Sequence, residues 1–415
     1  MKLLDHVWHW AATMFRRSHA HGVALRAVLR AALATTLLAQ CALIQPASAA
    51  GTNIEWRALS TTPSDQSCKV VLFEQPRAIA IDRDNNIYVA NERGANALQR
   101  IALSGTITTL VDRTAVNLKG QSYLNLSLAI DRTGQIVLGV GGRGTIERLT
   151  KEGVLTILAG QPGKKGIVDG PADKAEFKAI TAVAVGPDGD IYVADSRTIR
   201  KLSKDGLVST VAGDEHSKAD CRDGRGRAAA FGGPKGLVVD DSGYLYVADG
   251  GERNDEGRIT SFGLVRKVDR AGIVESIAGQ LDSDGGHLDG VGRHAEFTEL
   301  FGIAIDAHSN LFVTEDYFVS RFHVRKISPT LDVTTILSAE ELADFQKDRD
   351  GPDVALHEPT GIAVDPSGIP YFVDTGGNKL HRIDKQSKIS EASPGGYSEA
   401  YVTTLCRLTR PTGSN

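Results

Sequence analysis

The chain is poor in several things that would have named an activity. Four cysteines and two methionines in 415 residues exclude a disulfide-stapled scaffold and a Cys-rich metal fold. Aromatic residues make up only 6%. No nucleophile elbow of the Gly-x-Ser-x-Gly kind and no His-Glu-x-x-His pair is present, and the glycine-rich segments fall in turns rather than before helices. Asp282–Gly286 and Asp348–Gly351 are acidic and glycine-bearing but lack the spacing and closing Glu of an EF-hand. No stretch beyond the N-terminal region is long and apolar enough to span a bilayer.

The first fifty residues read as an export signal. Arg16, Arg17, Arg26 and Arg30 precede an apolar stretch at 31–44, and Ala47-Ser48-Ala49 offers a small-residue cleavage site. Cleavage is expected near Ala49/Ala50, placing the protein in the periplasm or outside the cell. Without residues 1–50 the formal charge is −8, which argues against nucleic acid or an anionic membrane as main partner.

What is abundant is repetition. Six segments starting at Ala78, Ser127, Ala182, Gly236, Gly302 and Gly361 share one pattern: an alternating apolar run, a polar turn and a second alternating run. Each is a β-hairpin. Asp82, Asp131, Gly186, Asp240, Asp306 and Asp365 stand at one register, 49 to 66 residues apart. A third and fourth run follow each hairpin, so each copy predicts a four-stranded antiparallel blade, and six copies predict a closed all-β, six-bladed β-propeller. The expected division is a signal at 1–50, a lead-in at 51–68, the propeller at 69–406 and a tail at 407–415. Either 69–73 or 401–405 would complete the last sheet. Cys68 and Cys406 flank the ring and are candidates for a disulfide across its seam, the alternative being two thiols near the ends. Cys221 would be left over.

These residues resemble the NHL-repeat family: Pro359 to Asp365 and Ile191 to Asp195 match its P-x-G-I-A-V-D and I-Y-V-A-D elements. A connector signature of an exported bacterial subtype appears as Asp169-Gly170 with Phe177, Asp223-Gly224 with Phe231, and Asp289-Gly290 with Phe297. In a decayed copy, Asp350-Gly351, His357 replaces the Phe. The resemblance implies a propeller; it leaves activity open, because this scaffold hosts binding modules and unrelated enzymes.

Propeller geometry predicts that two aligned columns approach the channel mouth. Asn91, Val140, Asp195, Asp249, Glu315 and Asp374 end the second strands; Arg77, Leu126, Thr181, Lys235, Phe301 and Thr360 open the first. The first expectation is a non-catalytic module binding a protein, peptide or glycan there. The second is a hydrolase, lactonase or lyase of the gluconolactonase or strictosidine-synthase-like type. It would hold Ca2+ or another divalent cation on Asp249, Glu315 and Asp374, with Asp195 beside them and Arg77 or Lys235 polarising a carbonyl. A third is a structural spacer. Against the metal stand the other roles of a strand-end Asp, above all capping the following turn. A histidine-based zinc site is not expected: His216, His287, His294, His308, His323, His357 and His381 all lie off the innermost strands and read as surface residues. A basic column on the third strands, Arg100, Arg148, Lys201, Lys267, Lys326 and Arg382, reads as long side chains lying on apolar neighbours.

Overall fold

The computed structural model describes residues 73–104, 106–116, 125–150, 153–217, 221–251, 263–280, 286–316, 322–338 and 358–385, and the backbone of 400–404. The expected export signal, Cys68, Cys406 and most of the 250–263 and 338–358 segments lie outside these residues.

Each hairpin is set by its turn. In the first, Asp82 Oδ1 accepts the backbone N–H groups of Asp84 and Asn86 at 2.9 and 2.8 Å. Asp131, Asp240, Asp306 and Asp365 repeat this with the residues two and four positions on. A carboxylate that satisfies two turn N–H groups fixes loop length and register together. The fourth turn position needs a left-handed backbone, supplied by Gly134, Gly189, Gly243 and Gly368 and by Asn85 and Ser309 in the other copies.

Six antiparallel sheets result, with strands in sequence order within each blade. The blades span 76–112, 126–159, 180–212, 234–278, 299–338 and 359–404. Their first strands touch in a closed circle, blade 1 to 2 and onward to 6, and 6 back to 1. Buried residues of neighbouring blades merge into shared clusters, as where Val137 and Ile146 of blade 2 meet Ile180 and Val193 of blade 3.

Blades 3, 4 and 5 carry a fifth strand that the repeat pattern did not announce. The connectors Gly170–Pro171, Gly224–Arg225 and Gly290–Val291 pair antiparallel with the outermost strands of the blades they precede. These connectors are therefore straps along the blades, and their phenylalanines, Phe177, Phe231 and Phe297, are wholly buried.

The ring closes at its C-terminal end. Ala400–Thr404 pairs with Lys379–Lys385 as the fourth strand of blade 6. Phe73, from the other candidate run, is buried between blades 1 and 6 with Ile79, Val89, Val373 and Leu380. Hydroxyls stitch the seam: Thr375 Oγ1 donates to the Pro76 carbonyl at 2.6 Å and Thr360 Oγ1 to that of Arg77 at 3.1 Å.

Close approach at the axis demands small residues. A Cβ on Gly361 would stand 2.6 Å from the Arg77 carbonyl oxygen, and one on Gly236 would stand 2.7 Å from that of Phe301. Gly361→Ala should therefore push blades 6 and 1 apart and cost about 1–3 kcal/mol, read as a lower denaturation midpoint at unchanged slope; an unchanged midpoint would mean the seam is slack.

Candidate functional site

The carboxylates that end the second strands do not face the channel. Asp195, Asp249, Glu315 and Asp374 are completely buried, each engaged inside its own blade. Asp195 Oδ1 accepts the N–H groups of Lys178 and Ala179 at 2.9 and 2.7 Å. Asp249 takes those of Gly232 and Gly233, Glu315 that of Thr298, and Asp374 those of Glu358 and Gly377. They cap the loop entering the first strand; only the Asp374 bond to Gly377 lies in the following turn. In blade 1 Asn91 fills the position, accepting from the Glu74 N–H and donating to Gln99 Oε1. The expectation that Asn91 and these carboxylates approach the mouth, and that Asp249, Glu315 and Asp374 converge on a cation, is thus corrected. Each second strand turns its last side chain inward, where the entry loop presents N–H groups needing acceptors.

Behind each of three carboxylates lies an arginine whose role the sequence reading missed. Arg200, Arg266 and Arg325 are fully buried on third strands. Arg200 donates to Asp195 at 3.0 Å and to Asp169 of the strap at 2.7 Å. Arg266 joins Asp249 to Asp223, and Arg325 joins Glu315 to Asp289. Each guanidinium lies 5.2 Å from the centre of its strap phenylalanine, a cation–π stack. Burial pushes the Asp195 and Glu315 carboxyls upward, and the arginine and N–H donors pull them back. One signal was legible: the arginine occurs in the three copies with an intact Asp-Gly…Ala-x-Phe connector, while Gln99, Glu147 and His381 replace it elsewhere. In the adjacent basic column Lys201 reaches Asp190 at 3.1 Å and Lys267 lies over the Tyr244 ring.

Two histidines are not on the surface. His323 and His381 are buried, and burial lowers their pKa values to about 4 and about 3. His323 stacks on His287 at 4.4 Å, and His381 on Phe372 at 5.0 Å. Cys221 is buried with Sγ 3.4 Å from Asp249, and burial drives its thiol pKa up, away from nucleophilic chemistry. Among the described residues no three His, Cys, Asp or Glu side chains are placed to share a metal ion.

The other predicted column does converge. Arg77, Leu126, Thr181, Lys235, Phe301 and Thr360, one from each blade, line a cavity of about 170 Å³ over the channel, with Asn125 and Ser127 between them. Arg77 is held 3.6 Å from the buried carboxylate of Glu92, which also accepts the Asn125 N–H at 2.9 Å. Lys235 is ion-paired to buried Glu299, with its ammonium 4.2 Å above the Phe301 ring. Aliphatic side chains such as Ile79, Leu128, Val183, Leu237, Ile303 and Ile362 line it as well, so the wall sets cations, hydroxyls, an amide and one aromatic ring among apolar neighbours.

The class these features define is a six-bladed β-propeller, and solved structures agree. The chain superposes with a TM-score of 0.52 at 15% identity on a Bacteroides thetaiotaomicron protein of unknown function, over 79% of this chain and 72% of that one. It superposes at 0.51 and 13% identity on an auxiliary nutrient binding protein of the same species, over 75% and 69%, and at 0.51 and 13% on one from Bacteroides ovatus, over 80% and 76%. Among curated proteins, Teneurin-1 of Mus musculus is 28% identical over 217 residues, 49% of this chain, and Teneurin-1 of Homo sapiens is 26% identical over 275 residues. The matched region spans less than a tenth of those relatives' own length. No family model matches the chain.

Removing one partner of a buried ion pair strands the other. Arg266→Met should cost about 3–5 kcal/mol, whereas Lys267→Met, one residue along on the half-exposed column, should change stability by less than about 0.5 kcal/mol; equal effects in urea titrations would refute the assignment. For His381, protonation below about pH 6.5 is open to the unfolded chain but withheld from the folded one until about pH 3. Its contribution is complete above pH 6.5 and is lost as pH falls through that window. His381→Gln, which copies Gln99 of blade 1, should flatten the fall in melting temperature between pH 6.5 and 4 relative to wild type.

Proposed function

We propose that the chain is a non-catalytic binding propeller, exported from the cytoplasm, which engages a protein, peptide or glycan partner through its channel mouth. The observation that carries this reading is the division of labour between the two columns. The first-strand residues gather around one cavity, whereas the carboxylates that a metal-dependent lactonase or lyase would need are consumed, blade by blade, in holding entry loops and arginines. A wall that sets cations, hydroxyls and a single aromatic ring among aliphatic side chains suits recognition of a partner with polar groups on an apolar frame. Two of the similar solved structures carry the description auxiliary nutrient binding protein, which is in keeping with it.

The test is to probe peptide and glycan arrays with wild-type protein and with Lys235→Ala and Phe301→Ala. Ligands of the mouth should bind at least tenfold more weakly to both variants, each shown to be folded by a cooperative melt well above the assay temperature. Retention of all binding by both would place the site elsewhere. Calcium and EDTA decide the metal-dependent alternative: neither should move the melting temperature of wild type, and a chelator-sensitive melt would favour the enzyme.

A further inference from the structure

A second pocket of about 320 Å³ adjoins the mouth, lined by Gly141, Gly142, Lys165, Lys178 and Ala179 and sharing Asn125, Ile180 and Thr181 with it. The sequence reading did not include it. Among the described residues that line the two cavities there are four cations, Arg77, Lys165, Lys178 and Lys235, and no carboxylate, although acidic residues outnumber basic ones in the chain, 51 to 47.

The acids nearest these cations stand behind them. Glu92 is buried behind Arg77, Glu299 behind Lys235, and the largely buried Glu215 behind Lys178. Such pairs orient the cationic heads without presenting negative charge to the cavity. Lys165 differs, because its ammonium donates to the Gly141 carbonyl rather than to a carboxylate. Although the residue is exposed, partial desolvation of its ammonium lowers its pKa, with the Asp195 charge acting the other way, and an arriving anion would raise it. A concave surface lined by one sign of charge concentrates counter-charge within it.

We propose, resting on the mouth as the binding site, that the two cavities form one subsite for a carboxylate-bearing sugar, a uronic acid residue of a saccharide. The carboxylate belongs between Lys165 and Arg77, and the ring hydroxyls face Asn125, Thr181 and Thr360. The mixed hydroxyl and amide lining suits a polyhydroxylated ring.

The experiment is calorimetric titration with trigalacturonate, its neutral counterpart galactotriose, and a pentaglutamate peptide, at low and moderate salt. Trigalacturonate should bind at least tenfold more tightly than galactotriose, and the margin should shrink with salt. Lys165→Met, whose surface position makes misfolding readily checked by melting temperature, should remove most of that preference, with Lys165→Arg restoring it. Equal affinity for the two sugars, no binding of trigalacturonate, an unchanged preference in Lys165→Met, or tighter binding of pentaglutamate would each overturn the proposal. Array ligands that still depend on Phe301 would leave the mouth itself standing; its independence of Phe301 and Lys235 would sink both.

Discussion

Three buried arginines hold this molecule's connectors to its blades. Each guanidinium spans a carboxylate at the end of a second strand, a carboxylate in the preceding strap and the face of the strap's phenylalanine. A guanidinium in this setting cannot shed its charge, so it gathers carboxylates and carbonyls around its terminal nitrogens. The strap aspartates add a further tie, accepting hydroxyl hydrogen bonds from Thr210, Ser276 and Thr335 on the fourth strands. One side chain therefore couples the second, third and fourth strands to the connector. An apolar core of equal volume would supply comparable stability but would not dictate where the strap lies.

The other copies solve the same problem with weaker chemistry. Blade 1 uses an amide pair, Asn91 with Gln99. In blade 2, Glu147 takes Arg143 at 3.0 Å and the Thr145 hydroxyl. Blade 6 places neutral His381 against Phe372. None of these three blades has a strap strand along its outer edge among the described residues. Among the described residues strap and arginine occur together, and each supplies partners that make burying the other tolerable.

This division has a consequence for function. Carboxylates committed to entry loops and arginines cannot also face the axis, so the channel mouth takes its character from the residues opening the first strands. That surface is cationic and hydroxyl-rich, while its compensating acids lie buried behind it. The ring's closure by blade 6 packing on blade 1 completes the surface, since Arg77 and Thr360 come from opposite sides of the seam.

Periodicity by itself determined the six hairpins, the ring and the first-strand column, because alternation and repeat length are local properties that only a few architectures satisfy. Two candidates for the closing strand stayed open, since each is a short strand-forming run next to one end of the ring; the structure decided for 400–404 and buried Phe73 between blades. Only the tertiary structure decided which way the strand-end carboxylates turn. Asp195 or Asp249 at a strand end is compatible with a channel ligand or an interior cap, and the choice falls to donors distant in sequence: the entry-loop N–H groups and an arginine on the next strand. The side pocket with Lys165 was likewise invisible, because its walls come from two blades and a connector that share no sequence register. Local pattern reports period and burial, whereas the direction of a polar side chain is set by partners that folding brings to it.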